Sequence, residues 1–247
     1  MEVVLREDEK IEDLQCKNLR IIQNKKWFCF GMDAVLLTNY CNIKNNSKIV
    51  DLGTGTGIIP ILLSGKRNYS KAYAIEIQEE VAEMARRSVA LNDLVDKIEV
   101  LNIDLKEALS YLEPNTFDAV ISNPPYKLTD SGIINPTDKK AISRHEIKCS
   151  LEDVISTAAD LLKQYGRFYM VHRPDRLADI MCMLRKYKLE PKQIRFVHPR
   201  AAAKPNMVLI RASKYGNPEL KFDPPLYIYD DEGNYTDDVY QIYGMEK

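Results

Sequence analysis

The sequence has few of the residues that crosslink small domains or hold structural metals. Its 247 residues include five cysteines, which are widely scattered and never form a CxxC pair. Zinc knuckles and disulfide frameworks both need a regular cysteine pattern, so we expect neither of them and no metal site. Scattered thiols fit a reducing compartment, and we therefore expect a cytoplasmic protein.

Long apolar runs are missing as well. The first ten residues, MEVVLREDEK, alternate acids and bases and lack the basic flank and apolar stretch of a secretory signal. No later apolar run approaches the roughly 20 residues that span a bilayer. We therefore expect a protein with no membrane partner. Its 45% hydrophobic content is ordinary for one soluble domain with a full core.

Net charge is nearly absent, at −1, but the charges are unevenly distributed. Residues 127–214 carry 18 bases against 9 acids, a difference of +9, whereas residues 215–247 carry 2 bases against 8 acids. Such an excess is what a phosphate-binding face leaves in a sequence, although an ordinary solvated surface produces it too. The charge pattern therefore favours a nucleic-acid partner without excluding a plain surface.

From residue 47 onward, apolar β-type runs alternate with helical stretches. This alternation predicts an α/β fold with a parallel sheet and helices on both of its faces. The predicted strands are Ser47 to Leu52, Ala72 to Ile77, Ile98 to Ile103, Phe117 to Ser122, Gly166 to His172, Gln193 to His198 and Met207 to Ala212. The predicted helices are Ile58 to Ser64, Glu79 to Asn92, Leu105 to Tyr111, Leu151 to Gln164 and Asp175 to Tyr187.

Three segments do not fit the alternation. Residues 1–46 are predicted to be an N-terminal extension that packs on the core, with one or two strands and a helix around Asp33 to Tyr40. Residues 127–149 form a long basic connection, a length that usually indicates function or disorder. Residues 215–247 form an acidic, tyrosine-rich tail. The predicted catalytic domain is therefore residues 47–214.

A glycine-rich turn follows the first predicted strand. In the stretch IVDLGTGTG, Ile49 to Gly57, a buried strand runs into three glycines and then a helix. Glycines let the backbone turn tightly and let a ligand approach the peptide groups, while amides at a helix start favour polar or anionic ligand groups. A nicotinamide-binding fold also places glycines after its first strand and an acid after its second.

Acidic side chains stand near the ends of three successive predicted strands: Asp51, Glu76 and Asp104. With the spacing GxGxG behind Asp51, they resemble motif I of class I S-adenosylmethionine-dependent methyltransferases. The resemblance implies a Rossmann-like fold with a mostly parallel, seven-stranded sheet and an antiparallel last strand. It implies that S-adenosylmethionine binds here and leaves as S-adenosylhomocysteine, with Glu76 on the ribose hydroxyls and Asp104 on the adenine amino group. The implied cofactor-binding residues are Asp51, Gly53, Thr54, Gly55, Gly57, Glu76, Ile77, Asp104, Leu105 and Asn123.

The fourth predicted strand leads into Asn123, Pro124, Pro125 and Tyr126. This tetrapeptide resembles motif IV of the amino-methyltransferases, which act on adenine N6, cytosine N4 or a glutamine amide. In the resemblance, the Asn123 side-chain oxygen and the Pro124 carbonyl accept hydrogen bonds from a planar amino group, and Tyr126 stacks on the target plane. The prolines fix φ and remove donors, so the loop presents acceptors with little freedom. The alternative is a rigid turn that ends a strand.

A longer resemblance covers nearly the whole chain. The sequence resembles the bacterial tRNA (adenine-N6)-methyltransferases that modify adenine 37 of a valine tRNA, in the segments IIQN at residues 21–24, FGMDAVLL at 30–37, RHE at 144–146, HPR at 198–200 and KP at 204–205. The resemblance implies that Phe30 and Asp33 contact the methionine end of the cofactor, although Asp33 could equally be the N-cap of the next helix.

The same resemblance implies tRNA as the partner, and we expect a monomer or a weak dimer. A target adenine must be single-stranded or flipped, which suits an anticodon loop. Our candidate RNA contacts beside the active site are Lys127, Lys139, Lys140, Arg144 and His145. Their alternative is a set of solvated loop charges.

Three other functions stay open. A protein-(glutamine-N5) methyltransferase shares the tetrapeptide but carries a larger helical N-terminal domain, for which 46 residues leave little room. An rRNA guanine-N2 methyltransferase has a motif that usually ends in Phe. A non-catalytic RNA-binding module would be expected to have lost Asn123, Asp51 and Glu76, which are all present.

Overall fold

The described residues, 4–24, 26, 31–125 and 149–245 of a computed structural model, build two sheets and the helices that cover them. The first sheet is a two-stranded hairpin of β1 (Glu9–Asp13) and β2 (Arg20–Asn24). The second sheet contains β3 (Lys48–Leu52), β4 (Lys71–Ile75), β5 (Ile98–Leu101), β6 (Phe117–Ser122), β7 (Leu162–His172), β8 (Leu189–His198), β9 (Met207–Lys214), β10 (Lys221–Phe222) and β11 (Leu226–Tyr227).

The large sheet is mostly parallel. Its order is β10-β8-β9-β7-β6-β3-β4-β5, and β11 also pairs with β8. Strands β3 to β7 pair in parallel, whereas β9 lies between β7 and β8 and is antiparallel to both. The predicted α/β fold with an antiparallel last strand is therefore confirmed, and the seven predicted strands all form. The short strands β10 and β11 add to the predicted seven.

Helices cover both faces of the large sheet. They are α1 (Met32–Tyr40), α2 (Ile58–Lys66), α3 (Glu79–Leu91), a 3₁₀ helix (Leu105–Ser110), α4 (Leu151–Leu161), a second 3₁₀ helix (Pro174–Arg176), α5 (Leu177–Lys186) and α6 (Asp237–Tyr243). Alternate strand residues face opposite layers, so Ile49 belongs to the core that includes residues of α1, α2, α3 and α6, while Val50 belongs to the core that includes residues of α4 and α5. Each fully buried leucine or isoleucine stabilises these two cores by about 1.5–3 kcal/mol of transfer free energy.

Two predicted helices differ from the observed ones. The segment that begins at Leu105 is a 3₁₀ helix, because the Asp104 side chain accepts from Lys106 N at 3.0 Å and the Glu107 amide bonds back only three residues. The helix predicted to end at Gln164 ends at Leu161, and Leu162 already pairs with Phe117. A run of buried leucines does not distinguish a helix end from a strand start.

The segments on either side of residues 47–214 both pack on the core. Strand β2 lies along α3, where the Ile22 amide donates to Ser88 Oγ at 3.0 Å. After Lys214, the buried side chains of Leu226, Ile228 and Val239 attach the acidic tail to the sheet. The division of the chain at residues 46 and 214 stays a prediction. Within the described ranges, no helix is long and apolar enough to cross a bilayer.

Candidate active site

The turn after β3 is an open cradle of backbone. Gly53 and Gly55 have φ values of 76° and 58°, which disfavour any side chain, and a Cβ on either would meet no atom within 4 Å. The Gly53 and Thr54 amides donate to the Ile75 carbonyl at 3.0 and 2.9 Å, which fixes the turn against β4. The first two glycines therefore leave room for a ligand to touch the main chain.

Glu76 ties this turn to the next strand end. It is buried, its Oε2 accepts from Gly55 N at 3.0 Å, and its Oε1 accepts from Gln78 N at 3.0 Å. Asn102 Nδ2 donates to the Glu76 carbonyl at 2.9 Å, so the end of β5 is held as well. A carboxylate has about four acceptor positions, and those that remain can receive hydroxyl donors from a ligand.

Asp51 is a buried acid beside the turn. It is 1% exposed, and neither its carboxylate oxygens nor Thr54 Oγ1 bonds to another described residue. Burial raises the pKa of Asp51 to about 7, and the nearby Glu76 charge adds to the rise. The Thr54 hydroxyl lies close enough to lower this pKa in part, without the geometry of a hydrogen bond. Buried polar atoms are normally satisfied, so these three atoms fit the polar groups of a ligand.

A buried glutamine, Gln23 of β2, joins the same region. The side chains of Ile21 and Gln23 share one face of β2, and Cδ1 of Leu19, just before the strand, lies 2.9 Å from the position of a Cβ on Gly65, near the end of α2. Strand β2 runs antiparallel to α3, since Arg20 N donates to Asn92 Oδ1 and Ile22 N donates to Ser88 Oγ. Gln23 therefore lies toward the middle of α3, where Ala85 Cβ is 3.6 Å from the position of a Cβ on Gly57, the residue before α2.

Gln23 was not among the predicted cofactor residues. It is 1% exposed, and neither its amide nitrogen nor its amide oxygen has a hydrogen-bond partner within the part of the chain that the structure describes. A glutamine inside the apolar run of β2 is the sequence signal that points to it, since buried amides need partners.

The candidate catalytic loop begins beside the glycine turn. In the register of β3 and β6, Leu52 is paired with Ser122, so the next residues, Gly53 and Asn123, emerge next to each other. Ser122 Oγ donates to the Leu52 carbonyl at 2.8 Å and holds the two strand ends together. Pro124 is buried and Pro125 is exposed. Topology therefore brings the predicted acceptor and the predicted cofactor turn to one edge of the sheet.

The remaining predicted cofactor residues differ in their surroundings. Asp33 lies in the first turn of α1, which begins after Gly31, so its carboxylate is not the N-cap; it accepts from Ala34 N at 2.9 Å. Helix α6 of the tail packs against α1. Burial raises the pKa of Tyr243 in that helix to about 12, and the charges of Tyr235 and Asp33 contribute.

The predicted cofactor residues that follow β4 and β5 differ in their burial and in the bonds they already make. Ile77 is half-buried at the edge and Leu105 is in the core. Asp104 caps the first 3₁₀ helix through Lys106 N and lies 3.3 Å from Lys106 Nζ, so one of its oxygens already has a structural role.

Several predicted site residues lie outside the described residues, and their roles stay predictions. They are Phe30, Tyr126, Lys127, Lys139, Lys140, Arg144 and His145. Among the residues that the structure does describe, no group of three or more His, Cys, Asp or Glu side chains could hold a metal ion.

Comparison with known proteins points to one kind of chemistry. Residues 31–185 match the family described as Methyltransferase small domain. The chain is also similar to a Bacteroides thetaiotaomicron protein named tRNA1(Val) (adenine(37)-N6)-methyltransferase, with 31% identity over 198 residues that cover 79% of this chain and 81% of the relative. A protein of the same name from Phocaeicola vulgatus is 30% identical over 180 residues, which cover 73% and 74% of the two chains.

Solved structures agree with the fold. A predicted O-methyltransferase from Agrobacterium tumefaciens superimposes with a TM-score of 0.70 at 26% identity, covering 86% of this chain and 96% of that one. A putative RNA methyltransferase from Pyrococcus horikoshii gives a TM-score of 0.52 at 16% identity, covering 73% and 81%. The second likeness speaks to the fold alone.

Proposed function

Because the chain belongs to the methyltransferase small domain family, we propose that it transfers a methyl group from S-adenosylmethionine to N6 of an adenine in tRNA. The enzyme class and the cofactor follow from the family. The observation that carries the choice of an amino nitrogen is the position of Asn123, which leaves β6 directly beside the glycine turn that leaves β3. The relatives' shared name supports the choice of adenine in tRNA.

The described residues fit both ends of this cofactor. Glu76, fixed by the Gly55 amide, would hold the ribose hydroxyls, and half-buried Ile77 would lie against the adenine. Asp51 and Gln23 would meet the amino-acid end at the start of α2, where free backbone amides favour a carboxylate. The bound cofactor supplies an electrophilic methyl group on a positively charged sulfur.

The residues at the end of β6 would activate the target. The lone pair of an adenine amino nitrogen is delocalised into the ring, which makes it a poor nucleophile. The Asn123 side-chain oxygen and the Pro124 carbonyl would accept its two N–H groups and direct the lone pair toward the methyl group. The target nitrogen would become cationic as the nitrogen–methyl bond forms and the sulfur–methyl bond breaks, and it would then release a proton to water. Most of the rate would come from proximity and electrostatic matching.

The finer proposal is adenine 37 of a valine tRNA. It rests on the names of relatives that are about 30% identical to this chain, and the proposed pocket for a flat amine is compatible with it. An anticodon-loop base is already partly unstacked, so the cost of presenting it is low.

The test is a methylation assay with position mapping. Purified protein, labelled S-adenosylmethionine and tRNA lacking the modification should yield N6-methyladenosine, and a valine tRNA transcript with guanosine in place of adenine 37 should stay unlabelled. Label in a release-factor protein would indicate glutamine chemistry, and N2-methylguanosine in rRNA would indicate a guanine target. Labelled adenine at another tRNA position would reject the finer proposal alone.

A further inference from the structure

A polar cavity lies at the edge of the large sheet opposite the candidate active site. Its volume is about 490 Å³, and it is bounded by the loop before β3, the starts of β6 and β7, and the end of β9. Parallel strands begin at this amino edge and end at the carboxyl edge, where the candidate active site lies. We name this cavity the amino-edge cleft, lined among others by Lys44, Asp118, Lys163, Arg167, Lys192 and Arg211.

The amino-edge cleft is strongly cationic. Five of the six side chains just named are bases, and one is an acid. Both oxygens of that acid, Asp118, are engaged, since Oδ2 accepts from Lys48 N at 2.8 Å and Oδ1 forms an ion pair with Lys163. Four of the five bases come from residues 127–214, so part of that segment's excess charge is gathered at this edge.

Two of the remaining bases are held by neutral acceptors. Arg167 Nη1 donates to the Asn42 carbonyl at 2.7 Å, and Lys192 Nζ donates to the Asn217 carbonyl at 2.9 Å. A carbonyl fixes the position of a cation without cancelling its charge. These side chains are therefore oriented before any ligand arrives, which lowers the cost of binding one.

Among the five bases named above, Arg211 has a buried side-chain nitrogen without a hydrogen bond. It lies in β9 between Tyr169 of β7 and Gln193 of β8. Its Nε is buried without a hydrogen bond, and nowhere in the described ranges does its guanidinium pair with a carboxylate. The buried hydroxyl of Tyr40 also has no partner among those residues; the charges of Asp223 and Arg211 both act on it, and the Asp223 carboxylate itself accepts from Gln193. A half-buried, unpaired guanidinium that lines a cavity is costly unless an anion meets it.

We propose that the amino-edge cleft binds a phosphate group, with the fork of Arg211 as its main contact and Lys44 and Arg167 as supporting charges. The planar guanidinium matches two phosphate oxygens, and the volume of the cleft admits a phosphate group together with part of the molecule that carries it. The phosphate belongs either to free phosphate or a nucleotide, or to an RNA backbone. Only the RNA source rests on the proposed function, and it would make the cleft a second tRNA contact.

The test compares two arginine variants of the full chain by calorimetry with inorganic phosphate and by tRNA binding across a salt series. Arg211→Met should weaken binding of the ligand that uses the cleft by about ten-fold or more. The matched control is Arg185→Met, an exposed arginine of α5 that pairs with Glu190 outside the cleft and should change neither affinity. Lys44→Ala, at an exposed position, serves as a second variant if Arg211→Met does not fold, with an expected loss of about three-fold.

The outcomes separate the sources. Phosphate binding that Arg211→Met abolishes supports a site for a free anion. Unchanged phosphate binding, with tRNA binding weakened and its salt slope reduced by about one, supports a backbone phosphate. If neither variant of the cleft alters either affinity, the proposal is overturned. Failure of tRNA methylation with intact phosphate binding would reject the proposed function and leave the cleft assigned.

Discussion

The two edges of the large sheet hold opposite kinds of unpaired polar group. At the carboxyl edge, the unpaired charged group is the Asp51 carboxylate, which is buried without a partner in the described chain beside a turn of open backbone. At the amino edge, Nε of the Arg211 guanidinium is buried without a partner among the described residues. Carboxylates suit a ligand that carries an ammonium and a sulfonium, whereas a guanidinium suits a phosphate. One sheet therefore offers two sites whose ligands differ in charge.

The largest expected effect is at the catalytic side of the carboxyl edge. Asn123→Ala removes one of the two acceptors that we propose for the target amino group, and turnover should fall by about 100-fold or more while cofactor affinity changes little. Single-turnover rates with tRNA and calorimetry with S-adenosylmethionine measure the two quantities. If turnover and cofactor affinity fell by the same factor, the loop would have a structural role, and Asn123 would not be the acceptor for the target amino group.

A glycine substitution tests whether the turn is a ligand cradle. Gly55→Ala places a methyl group in the open space of the turn and should weaken cofactor binding by about ten-fold. The control is Gly233→Ala, which has a φ of 92° and lies in the tail. Both variants should lose about 1 kcal/mol of unfolding free energy from backbone strain, measured by urea denaturation. An equal loss of cofactor affinity in both would argue against the cradle.

Because Asp51 is a buried acid, the stability of the folded chain should depend on pH. Because the pKa of Asp51 is raised to about 7 in the folded chain, the unfolded chain loses this proton first, and stability should fall as pH rises from about 4 to 7. Over this range the free energy of unfolding should fall by about 4 kcal/mol at most. Asp51→Asn should remove that slope, as measured by urea denaturation across this range.

Cofactor binding should also change the protonation of the Asp51 carboxyl group. A ligand ammonium beside Asp51 favours its ionised form, so binding below pH 7 should release about one proton. Calorimetry in buffers of different ionisation enthalpy measures that release. The same proton release in Asp51→Asn would show that another group is responsible.

A smaller effect on cofactor affinity distinguishes a Gln23 that binds the cofactor from a glutamine that is buried for structural reasons. Gln23→Met keeps the side-chain volume and should raise the cofactor Kd by about three- to ten-fold without destabilising the free protein, since no bond to a described residue is lost. In Gln193→Met, the bond from Gln193 Nε2 to Asp223 is lost, so unfolding free energy should fall by about 1 kcal/mol with unchanged cofactor affinity. If Gln23→Met, like Gln193→Met, lowered the unfolding free energy and left cofactor affinity unchanged, Gln23 would lie outside the cofactor site.

The smallest expected effect is at the amino edge. Asp118→Asn keeps an acceptor for Lys48 N but removes the cleft's carboxylate, and phosphate affinity should rise about three-fold with cofactor affinity unchanged. Weaker phosphate binding in this variant would mean that Asp118 organises the cleft. The claim that its negative charge opposes phosphate binding would then be wrong.

The sequence predicted the carboxyl edge better than the amino edge. The turn through Gly53 and the position of Asn123 could be predicted, because each follows a buried strand and parallel strand ends meet at one edge. The strands β10 and β11 could not, because two residues have no periodicity. Gln23 and Arg211 were missed for a related reason. Their surroundings depend on which strand or helix lies alongside them, and that order is not written in local spacing.

The position of β9 has a consequence for the order of assembly during synthesis. Every strand that pairs with β8 lies later in the chain, since its partners are β9, β10 and β11. Strands β3 to β7 can pair as soon as they leave the ribosome, whereas β8 must wait with both edges open. Residues 207–227 therefore act as the closing segment of the sheet, and a nascent chain that stalls before them exposes an unpaired strand to aggregation.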